Sequence, residues 1–180
     1  MTRNRTTARH ARPSAWAACA IAALACVQAR SQAAPDTRSG SDAAQREVLE
    51  RGRYMVIVGH CNNCHTNGYA ATFGAVPEPK WLMGNAVGWR GGQGTVYAPN
   101  LRLFLQAMDL DTWLLVARNA RPRAPMPWWS LRETSDQDLT AMYRYIRSLQ
   151  PLGAPAPDFL PPDKVPSPPY NQLPDLSVAR

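Results

Sequence analysis

Cys61-Asn62-Asn63-Cys64-His65 stands near one third of the way along a chain of 180 residues. Two thiols three positions apart, followed at once by an imidazole, form the C-x-x-C-H pattern that reads as covalent attachment of a c-type haem. The spacing has a chemical reason. On a turn of helix the two thiols reach the two vinyl groups on one side of a porphyrin, and each forms a thioether. The next residue, His65, is then held beneath the ring with its imidazole aimed at the iron. Three rival readings fit less well. A thioredoxin-type redox pair wants a strand before the motif and a helix after it. The preceding segment reads as helix, and the segment after the motif is rich in Gly, Ala and Pro. Zinc takes about four ligands, and His60 and His65 are too close in sequence to complete a tetrahedron with the two thiols. A Cys61–Cys64 disulfide would close a very small loop.

The chain's beginning supports an exported protein. Residues 1–12 carry Arg3, Arg5, Arg9 and Arg12 and no acid, an apolar run extends from Ala15 to Val27, and small residues follow around Ala29 and Ala33. That order is the one a secretory signal peptide has. Cleavage near Ala29 or near Ala33 fits the small-residue rule, and the small-x-small pattern of Ser31 and Ala33 favours cleavage after residue 33. The alternative is a short buried helix with a basic start. No Arg-Arg pair precedes the run, so the twin-arginine route is not indicated. Leu24-Ala25-Cys26 is a weak lipoprotein box, and cleavage before Cys26 would leave a lipid anchor there. The whole chain has 20 basic and 13 acidic residues, a net charge of +7, but residues 1–33 hold five arginines and no acid, so the mature part keeps 15 against 13, a net +2. The basic charge belongs to the leader and is no nucleic-acid footprint. Cys19 and Cys26 also fall in the leader, leaving Cys61 and Cys64 as the mature cysteines. Hydrophobic residues at 45% and charged residues at 18% exclude wholesale disorder. No apolar run reaches the roughly 18 residues of a spanning helix, so no transmembrane segment is expected after leader removal. The expected location is the periplasm.

An iron with one histidine takes Met, His or nothing on its other side, and Met–His ligation raises the potential and favours electron transfer. Beyond the leader His60 is the other histidine, on the wrong side of the attachment turn. The methionine candidates are Met55, Met83, Met108, Met126 and Met142. Met55 and Met142 fall on apolar helix faces and read as core. Met108 reads as the entrance to a helix, and Met83 as part of a loop soon after the motif. Met126 lies in Pro125-Met126-Pro127-Trp128-Trp129, where two prolines stiffen the chain on either side. A stiff, extended loop suits a thioether held at a fixed place. The competing reading is a methionine packed under a Pro/Trp surface loop.

Periodicity predicts an all-α domain with long loops. Ser41 or Asp42 caps a helix running to about Val58, with Val48, Gly52, Met55, Val56 and Gly59 at helical spacing. Residues 66–100, without a clear period, read as loop wrapping the haem edge. Asp109 or Asp111 starts a helix through about Arg118. Ser135-Asp136-Gln137-Asp138 is a capping pattern opening a helix that carries Leu139, Met142, Tyr143, Ile146 and Leu149 and stops at Pro151. Nine of the 17 prolines lie in residues 151–180, which reads as a tail unsuited to helix or central strand, either solvated or lying across the domain. The expected organisation is signal peptide 1–33, linker 34–41, haem domain 42–150 and Pro-rich tail 151–180.

On these residues the chain resembles the class I c-type cytochromes: Cys61-Asn-Asn-Cys64-His65 after an N-terminal helix, Met126-Pro127 downstream, and the closing helix from Asp138 to Leu149. Gly94-Thr-Val-Tyr-Ala-Pro-Asn100 and Met126-Pro-Trp-Trp are similar to segments of cytochromes that serve bacterial periplasmic dehydrogenases. The resemblance covers about residues 42–150, and the single motif matches a stand-alone monohaem carrier better than a multihaem subunit. It implies a cytochrome c-like helical domain with haem-wrapping loops, one covalent haem c per chain, His65 and Met126 as axial ligands, and a crossing of the first and last helices at Gly52 with Tyr143 or Tyr145. It also implies that Pro77 supplies the carbonyl meeting His65. Trp89, Arg90, Tyr97 and Asn100 are candidates to line the haem or bind its propionates. Arg118, Arg121 and Arg123 form either a docking rim for an acidic partner, a propionate site or a solvated face. The function implied is electron transfer between a dehydrogenase and a respiratory acceptor such as an oxidase, not catalysis. The alternative is a haem enzyme or sensor with a five-coordinate or labile iron.

Overall fold

The order of elements follows from where the chain can and cannot stay helical. The computed structural model describes residues 37–174, and from Arg38 on these belong to one compact unit. Helix α1 spans Thr37–Val58 and α2 spans Cys61–His65. A 3-10 turn at Glu78–Lys80 leads to strands β1, Gly88–Gly91, and β2, Gly94–Val96. Helices α3, Leu101–Gln106, α4, Leu110–Asn119, α5, Trp128–Glu133, and α6, Asp136–Ser148, follow, and the short strand β3, Tyr170–Gln172, comes last. Residues 1–36 lie outside the described residues, and with them the expected leader 1–33, its expected cleavage site and Cys26.

Two expectations are corrected. The domain is not all-α: β1 pairs antiparallel with β2 and parallel with β3, giving a three-stranded sheet in the order β2-β1-β3. The strands are too short and too Gly-rich to show a period. Helix α1 also begins earlier than expected, at Thr37 rather than at Ser41 or Asp42. Extending an existing helix by a turn costs little compared with starting one.

Local signals explain the other helix starts. Asp109 accepts the Thr112 N–H at 2.9 Å, and the Ser135 hydroxyl oxygen accepts the Asp138 N–H at 3.1 Å. Each satisfies an amide that a helix start leaves without an internal partner. Helix α6 buries Leu139, Met142, Tyr143, Tyr145 and Ile146, and each such apolar side chain contributes about 1.5–3 kcal/mol. They pack with Val56, Leu105, Trp113 and Ala117. The Trp113 indole N–H donates to the Leu139 carbonyl at 2.9 Å, so the polar edge of a buried ring is satisfied.

Arg102 is a buried cation held wholly by carbonyl oxygens. Its Nε donates to Trp81 O at 2.8 Å, and its terminal nitrogens donate to Leu149 O and Pro79 O, each at 2.9 Å. This ties α3 to the 3-10 turn and to the C-terminal end of α6, where positive charge suits the helix dipole. Next to it, Arg53 Nε meets Glu78 Oε2 at 2.8 Å and the Tyr145 hydroxyl donates to Glu78 Oε1 at 2.7 Å. Burial works against the Glu78 charge, but these two partners hold its carboxyl below the usual range. A carboxyl depressed on folding adds stability that is complete above its unfolded value of about 4.3 and is lost as the pH falls through the folded value. The stability gap between the natural chain and Glu78→Gln is therefore expected to be widest at neutral pH and to close in acid. Denaturant titrations at several pH values check this, and a gap that is the same at every pH rejects it.

The tail takes the second of its two expected courses and lies across the domain. Leu160 bridges Thr95 through paired backbone bonds of 2.7 and 3.0 Å, and β3 sits at the edge of the sheet, where a Pro-rich segment is tolerated. Residues 175–180 lie outside the described part.

Candidate haem site

The motif's orientation is set by a break in the helix. His60 takes a left-handed conformation with φ 57°, so the chain turns between α1 and α2. Gly59 lets the turn close: a Cβ there would stand 2.8 Å from the Met55 carbonyl oxygen. In α2, Cys61, Cys64 and His65 are at i, i+3 and i+4 and share one face. All three line one cavity of about 800 Å³. On the other face Asn62 is buried, and its Oδ1 accepts the Thr66 hydroxyl at 2.7 Å, while Thr66 Oγ1 accepts the Leu82 N–H at 2.7 Å. The turn is thus anchored from behind.

His65 is 6% exposed. Its Nδ1 lies 2.8 Å from the Pro99 carbonyl oxygen, so that nitrogen carries the proton and Nε2 keeps its lone pair. The expected partner, Pro77, is corrected: it caps the 3-10 turn at Glu78–Lys80 instead. Burial lowers the His65 pKa and the Pro99 bond opposes this only in part, which favours the neutral ligand form. Cys61 and Cys64 are not joined in a disulfide. Burial pushes the Cys61 thiol up to about 11 and raises Cys64 as well, so both stay protonated at neutral pH.

The remaining walls are mostly apolar. Leu101, Phe104 and Leu105 come from α3, Trp113, Val116 and Ala117 from α4, and Met142 and Ile146 from α6. Met126 lines the same cavity from the loop before α5, with Pro125 and Pro127 beside it. Met142 serves both the cavity wall and the core. Met83 lines a separate groove of about 620 Å³. A concave, largely apolar space of this size with a few convergent polar groups is the usual form of a ligand or cofactor site. The donor set suits a covalent haem: two free thiols and a neutral imidazole on one wall, a thioether on the loop, and apolar side chains between.

The other candidates divide. Trp89 and Tyr97 line the cavity. Arg90 and Asn100 do not line it, and their side chains bond elsewhere. The Arg90 guanidinium donates to the Lys164 and Pro162 carbonyls of the tail. Asn100 Oδ1 caps α3 by accepting the Arg102 N–H at 3.0 Å, and its Nδ2 donates to Leu152 O at 2.8 Å. Arg121 and Arg123 line the cavity, whereas Arg118 bonds to the Arg132 carbonyl and Asp136. Sequence reasoning missed Pro99, Pro157 and Phe159, the last two reaching the cavity from the tail.

Comparison with known proteins finds subunits of dehydrogenases. The chain is 33% identical over 139 residues to the gluconate 2-dehydrogenase cytochrome c subunit of Pantoea cypripedii, an overlap of 64% of this chain and 30% of that one. It is similar to cytochrome subunits. A second match, 28% identical over 164 residues, is the fructose dehydrogenase cytochrome subunit of Gluconobacter japonicus, covering 83% of this chain and 31% of that one. A third is a nicotinate dehydrogenase subunit of Pseudomonas putida, 28% identical over 140 residues, 71% of this chain and 11% of that one. The chain therefore spans less than a third of the length of each of these relatives. No family model matches the chain, and no solved structure does. Among the described residues no helix is long and apolar enough to cross a membrane.

Proposed function

We propose that the chain is an exported, periplasmic electron carrier with one covalent haem c, receiving electrons from a dehydrogenase and passing them to a respiratory acceptor. The reading rests on one juxtaposition: Cys61, Cys64 and His65 share a helix face on the wall of an apolar cavity that Met126 also lines. In this reading Cys61 and Cys64 form the thioethers and His65 and Met126 are the axial ligands. When bound, the group supplies a one-electron couple at an iron that keeps its ligands. The chain's own residues do the rest. The Pro99 carbonyl fixes the His65 tautomer and ring orientation and strengthens the imidazole as a donor. The apolar walls exclude water, which favours the less charged, reduced state.

The partner surface in this reading surrounds the Met126 loop. Arg121 and Arg123 are exposed there, and Trp129 is 53% exposed. Cations around an aromatic suit an acidic partner, steering its approach without demanding high affinity. In the same reading residues 1–33 are the export leader, and residues 42–150 with the tail make up the carrier.

Met126→Ala tests the ligand assignment. The ferric protein is expected to lose the weak absorption band near the red edge of the visible spectrum that marks methionine–iron ligation, and its reduction potential is expected to fall. Met142→Leu, altering the other cavity methionine, should keep the band. Survival of the band in Met126→Ala, or its absence from the natural protein, defeats the assignment and favours an enzyme or sensor with an open iron.

A further inference from the structure

The tail carries a side chain into the cavity that the closing helix of the domain does not account for. Phe159, 37% exposed, lines the same cavity as Met126. The Arg123 guanidinium lies 4.0 Å from its ring centroid, within the range of a cation–π contact. Arg123 is also linked to the methionine through the main chain, since its carbonyl accepts the Met126 N–H at 3.4 Å. On the far side of the loop the Met126 carbonyl accepts the Trp128 N–H at 2.9 Å, and Arg121 lies 4.3 Å from the Trp128 ring. The loop is therefore gripped at both ends, once from α5 and once from the tail.

The tail's seat is built for it. Thr95 and Leu160 exchange backbone bonds, Arg90 donates to the Lys164 and Pro162 carbonyls, and the Leu173 N–H donates to Arg90 O at 2.8 Å. Gly94 is fitted to the tail independently of any hydrogen bond. A Cβ there would stand 2.3 Å from the Leu160 carbonyl oxygen and 2.7 Å from Phe159 Cζ. No side chain fits at 94 while Phe159 and Leu160 are in place.

We propose that Phe159 is a positioning residue: with Arg123 it holds the Met126 loop against the haem cavity and closes that side to water and to outside ligands. The inference rests on the haem-carrier reading above. It assigns the Pro-rich tail to the site rather than to the surface. The electron carrier needs its methionine arm fixed, because a thioether is a weak donor and a loop that opens exchanges it for solvent.

The test uses the full, haem-loaded chain with Phe159→Ala, Gly94→Ala and the conservative Phe159→Tyr. Amide hydrogen exchange is followed at Met126 and Trp128, with the α6 amides from Met142 to Ile146 as reference. Imidazole is the probe for access to the ferric iron. Phe159→Ala and Gly94→Ala are expected to speed exchange at Met126 and Trp128, and imidazole entry, by roughly tenfold, the order expected for losing a cation–π contact together with its apolar packing. The α6 amides should be unchanged, and Phe159→Tyr should return both rates to the natural values. Unchanged rates in both variants overturn the proposal. So does an equal acceleration across α6, which would mean general loosening. The ligand reading fails separately, in the spectrum of Met126→Ala. If it does, exchange at Met126 and Trp128 still decides whether Phe159 holds the loop.

Discussion

Replacing Cys61 and Cys64 together by alanine is expected to give a chain with no covalent haem when it is produced in an export-and-attachment host. The intact mass should lack the prosthetic group, and haem staining after denaturing electrophoresis should be negative. The reason lies in how the thiols are presented. Both line the cavity on the face of α2 that carries His65, and burial keeps both protonated, as thiols that add across vinyl groups. Each single variant keeps one thiol at the wall, so it should retain haem through one thioether at lower yield. The double variant should also lose structure. The side chains of α3, α4 and α6 that enclose about 800 Å³ pack fully only around a bound group, and binding and folding are then one equilibrium. A fall in helical circular dichroism is expected alongside the loss of haem. Full haem incorporation in the double variant would remove the basis of the proposed function.

Gly52→Leu is expected to destabilise the fold by about 3 kcal/mol or more, an effect on the scale of severe overpacking. Gly52 is buried where α1 crosses α6. A Cβ at that position would stand 2.1 Å from the Ala141 carbonyl oxygen and 2.6 Å from Tyr145 Cβ. Neither is the free end of a flexible side chain, so the two helices must separate. Separation loosens Met142 and Ile146, which form both core and cavity wall. For a domain of this size the loss corresponds to a fall in Tm of roughly 10 °C. Glu50→Ala, on the exposed side of the same helix, should leave Tm within about 1–2 °C, as surface changes do. A Gly52→Leu protein with the natural Tm would show that the helices do not meet at this residue.

The parts legible in the sequence share one property: their causes lie within a few residues of one another. Ser135 and Asp109 cap their helices by bonding amides three positions on. The cysteines and His65 share a face because of helical spacing alone. The Gly52 contact follows from resemblance, not from periodicity. The parts that the structure corrects have distant causes. Asn100 has a cap residue's chemistry yet reads as a cofactor ligand, because α3, only Leu101–Gln106, shows no clear period. Strands β1 and β2 turn through Gly92-Gln93 between two further glycines, and they persist because the tail pairs with β1 and seats against β2. Arg90 has the chemistry of a propionate ligand and serves the tail's carbonyls.

By itself the sequence determined that two thiols and an imidazole stand together on one helical face, since that depends only on three and four positions of helix. It could not determine what meets them. The carbonyl opposite His65 comes from Pro99, 34 positions away, and Phe159 reaches the cavity from beyond the last helix. Those partners were chosen by packing, because closing a long loop costs an entropy that hardly depends on which proline or aromatic it brings, and only the assembled walls decide which one fits.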